Sequence, residues 1–253
     1  MSKTIAIANQ KGGVGKTTTA INLSACLSEA GKKVLTLDID PQGNTSSGLG
    51  IDKNDIENSV YELLIGECEI GDCIYDSVKE GLKIIPANIN LSGAEIELVE
   101  FEDKDYRLKK QLDLIKDQYD YIIIDCPPSL SQLTINALTA ADCVLVPMQC
   151  EYYALEGLSQ LMYTIDLVKN RLNPELYIEG IVFTMFDSRT NLSMQVVENV
   201  KATIGDIVYQ TVIPRNVRLA EAPSYGMPII MYDSRSTGAQ AYQNLAAEII
   251  ERN

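Results

Sequence analysis

TIAIANQKGGVGKTTTAINLSACLSEAG, residues 4–31, sets the architecture of this chain. Thr4 to Ala8 form a short β-prone run without the polar alternation of a solvent-facing strand, which fits a strand buried on both faces. From Thr17 the sequence turns helical, and Gly31 is placed to end that helix. Between strand and helix lies Lys11-Gly12-Gly13-Val14-Gly15-Lys16-Thr17-Thr18. Glycines there let the backbone turn tightly and aim its N–H groups inward, and the helix N-terminus adds partial positive charge, so the loop is built to cradle phosphates. Lys16 is expected at the β- and γ-phosphates of a nucleotide, and the Thr17 hydroxyl at Mg²⁺. The usual GxxxxGK[ST] spacing requires glycine where this chain has Gln10. In its place stands a second lysine, Lys11, at the mouth of the loop.

Working outward, six more β-prone runs follow: 33–38, 82–86, 121–126, 143–147, 177–184 and 207–214. Helical stretches alternate with them, among them 106–118. Strand, helix and strand repeated in this way predict an α/β fold, a doubly wound and mostly parallel sheet with helices on both faces, as a single domain over 1–253. Residues 50–80 have weak periodicity and are expected to be loop and short helix over one edge.

Two strand ends carry acids where a phosphate-binding loop needs them. Asp125 closes YIIID and is expected in the shell of a magnesium ion. In LDIDPQGN, Asp38 ends a strand and Asp40 lies just beyond, where it can approach the terminal phosphate, contribute to the metal site and orient a water. A turn acid before Pro41 is the alternative reading of Asp40.

The formal net charge is −14, which argues against nucleic acid until its distribution is considered. Residues 50–120 carry 18 acids and 8 bases, a balance of −10, whereas residues 185–235 hold five of each, including Arg189, Arg215, Arg218 and Arg235. Phosphate binding depends on local potential, so an acidic chain can still present a DNA-compatible face. There is no histidine and no CxxC pair, which disfavours zinc. Most of the cysteines sit in apolar runs and read as buried thiols, but Cys68 and Cys73 stand in a polar, acidic stretch that no motif accounts for. No stretch is apolar enough to span a membrane and the first residues do not resemble a secretory signal, so a cytoplasmic protein is expected.

KGGVGKTTT, LDIDPQGNTSSGLG, IIIDCPPSL, QCEYYALEGLSQL, TMFDSRTNL and VIPRNVRLAEAPSYGMPI together resemble the ParA/Soj partition ATPases, from residue 3 to the last helix. That resemblance implies an ATP- and Mg²⁺-dependent homodimer that binds double-stranded DNA nonspecifically and lies on the nucleoid when ATP-bound. It also implies slow hydrolysis stimulated by a ParB-type centromere-binding protein, with roles that extend to a replication initiator or to sporulation control. Lys11 matches the signature lysine that crosses to the partner's phosphates, and Asp40 the residue that activates water. Asp125 matches the metal acid, Pro214 and Asn216 the adenine loop, and Arg189 and Arg218 the DNA-binding positions. The first turn of the helix after Cys150, Glu151 to Glu156, matches a partner-facing segment.

A MinD-type membrane ATPase shares the loop but ends in a basic amphipathic helix. Here TGAQAYQNLAAEIIERN repeats Ala241, Leu245 and Ile249 as a core-facing helix does. An iron–sulfur reductase would need a second cysteine in a cluster motif beside Cys126, and the sequence offers none. A nucleotide-binding adaptor that does not hydrolyse would leave Lys11 and Asp40 idle.

Overall fold

The computed structural model describes residues 2–151 and 154–253, with side chains at 154–156, 192 and 206 outside the description. Eight strands run in chain order as β1 (Lys3–Ile7), β2 (Val34–Asp38), β3 (Tyr75–Asp76), β4 (Leu82–Ile85), β5 (Tyr121–Asp125), β6 (Cys143–Gln149), β7 (Tyr177–Phe186) and β8 (Val208–Pro214). They form one sheet in the order β3-β4-β2-β5-β1-β6-β7-β8. All neighbours are parallel except β3 with β4, where a two-residue strand closes the edge. That edge strand lies in the stretch expected to be irregular, and two residues are too few to show a period.

The helices are α1 (Lys16–Glu29), α2 (Asn44–Gly48), α3 (Val60–Ile65), α4 (Leu91–Glu97), α5 (Arg107–Leu112), α6 (Gln132–Ala140), α7 (Ala154–Arg171), α8 (Asn191–Ile204), α9 (Val217–Glu221), α10 (Ile229–Tyr232) and α11 (Thr237–Glu251). Successive strand residues feed opposite layers, as the period of two requires. Ile5, Ile7 and Ile123 join α1 and α11 in one core, while Ala6, Ile122 and Ile124 join α3 to α8 in the other. Burial on both faces explains why the strands read as near-continuous β-prone runs.

Two expectations are corrected. The helix expected over 106–118 stops at Leu112. Leu114 is exposed, so the apolar stripe fails there, and the backbone tightens into i to i+3 bonds, from Ile115 N–H to Leu112 O and from Gln118 N–H to Ile115 O. On α7 the three- and four-residue spacing of Leu155, Leu158, Leu161, Met162, Ile165 and Val168 predicts a core stripe, which holds at Leu158, Leu161, Ile165 and Val168, but Met162 is exposed; the Leu155 side chain and most of the expected partner-facing turn at 151–156 fall outside the description. Ala241, Leu245 and Ile249 of α11 are buried, as their spacing predicts.

Candidate functional site

The chain leaves β1 at the centre of the sheet, between β5 and β6, which is where strand order reverses and a crevice opens at the carboxyl ends. Gly13 and Gly15 take φ of 73° and 90°, left-handed values that favour glycine, and they turn the loop into α1. No side chain caps the first turn of α1 and no acid lies in it, so its N–H groups remain available to an anion. The loop is pinned from outside by Thr184, whose hydroxyl donates to Val14 O at 2.7 Å. Lys16 folds back inside it, and its Nζ donates to Lys11 O at 3.1 Å. Burial lowers the Lys16 ammonium's pKa, with the carboxylates of Asp125 and Asp40 opposing that shift.

Asp125 and Asp38 lie side by side in register at the ends of β5 and β2, and both are fully buried. Asp125 Oδ2 accepts from Thr17 Oγ1 at 2.8 Å and from Thr45 Oγ1 at 2.7 Å, whereas its Oδ1 is buried with no partner. Asp38 Oδ2 accepts from Ser46 N at 2.8 Å and Ser46 Oγ at 2.7 Å, and its Oδ1 from Asp40 N. Burial first, and then the charge of Asp38, push the Asp125 carboxyl well above the ordinary carboxylate range. Burial raises Asp38 as well, with Ser46 pulling it partway back. A buried carboxylate with an empty oxygen, a threonine hydroxyl on its other oxygen and a second carboxylate beside it is a donor set suited to a hard divalent cation, which would relieve the charge that burial penalises.

Asp40 lines a cavity of about 320 Å³ together with Gly12, Gly13, Gly15, Lys16, Thr17, Thr18, Asn44, Pro128 and Met185. A neighbouring cavity of about 380 Å³ shares Gly15, Thr18 and Met185 with it and runs on to Pro214, Asn216 and Tyr242. One cleft therefore joins the phosphate loop to the expected base site, and each part is of the size a nucleotide fragment fills. Val14 is buried beneath the loop. Asn216 caps α9 by accepting from Arg218 N and Leu219 N, and its Nδ2 donates to Thr237 Oγ1. Lys11, by contrast, points away from the loop and is ion-paired with Glu151.

A family model described as an AAA domain matches residues 2–178. The sporulation initiation inhibitor protein Soj of Bacillus subtilis is 61% identical over 249 residues, 98% of each chain. The chain belongs to the ParA/Soj family of partition ATPases. The chromosome-partitioning ATPase Soj of Treponema pallidum is 53% identical, covering 100% of this chain and 99% of the relative. Among solved structures, cobyrinic acid a,c-diamide synthase from Mycobacterium smegmatis with bound ADP and magnesium superposes with a TM-score of 0.87 at 39% identity, over 100% of this chain and 95% of that one.

Not all residues expected of a ParA/Soj protein converge in the cleft. Arg189 and Arg218 lie on the surface, each already paired with acids. Arg189 makes two bonds to Asp187, at 2.8 and 2.7 Å, and Arg218 meets Glu221 at 2.9 Å and Asp233 at 3.6 Å. The Arg189 guanidinium holds the Asp187 carboxyl well below the ordinary range. Sequence reasoning missed Thr45, Ser46, Thr184 and Met185. The first two were legible as hydroxyls in the quoted NTSSG run, but nothing local assigned them to buried acids. Met185 has a φ of 49°, a left-handed value uncommon outside glycine, and it lines both cavities.

Proposed function

We propose that this ParA/Soj protein binds ATP and Mg²⁺ in the cleft, closes into a homodimer over two nucleotides, and in that state binds double-stranded DNA without reading its sequence. The observation that carries the nucleotide reading is the uncapped, glycine-turned start of α1 facing a buried Asp125 with an unpartnered Oδ1. Backbone N–H groups from Gly12 to Thr18 would hold the phosphates, and Lys16 would supply their counter-charge. Thr17, Asp125 and Asp40 would hold magnesium, which when bound neutralises phosphate charge. Asp40, on the loop just after β2, would orient the attacking water. Pro214 would wall the adenine and Asn216 would stand at its edge, held rigid by its capping bonds.

Lys11 reaches a partner's phosphates only by leaving Glu151, an exchange of one ion pair for another on a half-exposed side chain. DNA phosphates would likewise compete with Asp187, Glu221 and Asp233 for Arg189 and Arg218. Such competition makes the monomer a weak ligand and makes doubling of contacts by dimerisation the natural switch. A ParB-type partner that stimulates hydrolysis would reverse it, releasing the protein from the nucleoid. The same cycle could be read by a replication initiator. A membrane role of the MinD type has less support, because the apolar stripe of α11 is spent on the core and no helix among the described residues is long and apolar enough to cross a membrane.

The test is binding to a DNA fragment of arbitrary sequence with ATP, with ADP and without nucleotide, across a salt series. Two arginines per subunit neutralising about four phosphates per dimer predict a log–log slope of roughly −3.6, with ATP alone. Equal binding in all three nucleotide conditions would sink the switched-dimer account.

A further inference from the structure

The acidic stretch between α3 and β3 holds a contact that the nucleotide cycle does not use. Cys68 Sγ lies 3.1 Å from Cys73 Sγ, about 1 Å beyond a bonded pair. Among the described residues this is the one contact between two thiols, and all six cysteines are free. Cys68 is half-buried and reachable from solvent. Cys73 is buried in the core, where its thiol donates to the carbonyl of Ser59, the residue that caps the start of α3. The chain turns at Gly66, just past α3 and ahead of Cys68, and then runs into the 3₁₀ turn Ile70–Cys73 that carries the second thiol. Each thiol is thus held on a different local element, one half-buried and one buried, with the sulfurs already in contact.

We propose that Cys68 and Cys73 form a reversible dithiol–disulfide pair, oxidised by a low-molecular-weight disulfide, with Cys68 the attacking and Cys73 the resolving sulfur. Exposure assigns the first role, because Cys68 is half-buried while Cys73 is fully buried. Cys68 loses its proton to water, and its thiolate attacks one sulfur of RSSR, expelling RS⁻ and leaving a mixed disulfide. Cys73 then gives up its proton and attacks the Cys68 sulfur, expelling the second RS⁻. The two released thiolates take up two protons, so two protein thiols are oxidised and one RSSR is reduced to two RSH. Burial raises both thiols, and the acids Glu62 and Asp72 add to it, so closure is slow at neutral pH and faster in alkali. Holding the two sulfurs 3.1 Å apart removes most of the loop-closure cost of the bond, which favours the disulfide in the folded chain over the unfolded one. The bond would clip the end of α3 to the turn that feeds the edge strand.

The test uses the full chain, folded, equilibrated in glutathione buffers of graded ratio, then alkylated and digested with trypsin. Residues 54–79 come away as one peptide with Cys68 and Cys73 and no other cysteine. The expected result is a peptide about 2 Da lighter and closed to alkylation, with a midpoint at least about tenfold more reducing for the folded chain than for the chain in urea. Cys73→Ser should leave Cys68 as a lasting glutathione adduct. Should that variant fail to fold, Cys68→Ser serves instead, and it should leave Cys73 unmodified. A wild-type protein that stops at the Cys68 adduct, or equal midpoints folded and unfolded, would overturn the proposal.

Discussion

Replacing Ser46 by alanine tests the framework that carries Asp40. The Ser46 hydroxyl donates to Asp38 Oδ2 at 2.7 Å and accepts Ala87 N–H at 2.9 Å, all of it buried. Removing it takes one donor from a buried carboxylate, worth about 1.5–3 kcal/mol, and orphans a buried N–H, worth about 1–3 kcal/mol. Ser46 N still reaches Asp38, so the carboxylate is not stripped bare, and the two losses share one site and need not add. A total of about 3–5 kcal/mol follows, a large part of the roughly 5–15 kcal/mol that holds a domain folded. In urea, with a slope of about 2.5 kcal/mol/M, the midpoint should fall by about 1–2 M with the slope unchanged. Ser47→Ala is the internal control, because that hydroxyl makes a single 3.3 Å bond to Gly43 O, and its cost should stay below about 0.5 kcal/mol. A Ser46→Ala midpoint within about 0.3 M of wild type would refute the account of these bonds.

Lys16→Ala should abolish binding of a fluorescent ATP analogue, and surviving ATPase activity would break the phosphate-loop assignment. Asp40→Ala should slow hydrolysis by about 10²–10⁴ while leaving an ATP-bound dimer that still holds DNA, which gel filtration and a filter-binding assay would read together. Arg189→Glu should weaken DNA binding without affecting dimerisation, and Asp187→Asn should strengthen it by freeing Arg189; an unchanged affinity in both would return the pair to the solvated surface. Burial alone would raise Glu179, but Lys3 Nζ at 2.7 Å and the Tyr209 hydroxyl outweigh it and hold its carboxyl below the ordinary value. Its stabilising contribution is therefore present above the unfolded pKa and lost as pH falls through the folded one, so Glu179→Gln should flatten the acid side of a urea-stability profile below about pH 4.5.

Much of this protein was legible in its sequence because the signals are local. Runs such as YIIID are apolar on successive residues because both faces of the sheet are covered. Glycines at 13 and 15 announce a left-handed turn that other residues resist, and a lysine and threonine at the start of a helix follow from what a phosphate needs. The end of the helix at Leu112 was not legible, since one leucine at 114 looks the same to a periodic pattern whether it faces the core or water. Nor was the ionic state of Arg189 and Arg218, which depends on where Asp187, Glu221 and Asp233 fall in space. Tertiary structure alone decided that Thr45 and Ser46 serve Asp125 and Asp38, that Thr184 holds Val14, and that Cys68 faces Cys73. Hydrogen bonds and charge interactions act over a few ångströms between atoms, without regard to separation along the chain, and only the folded sheet brings those partners within that range.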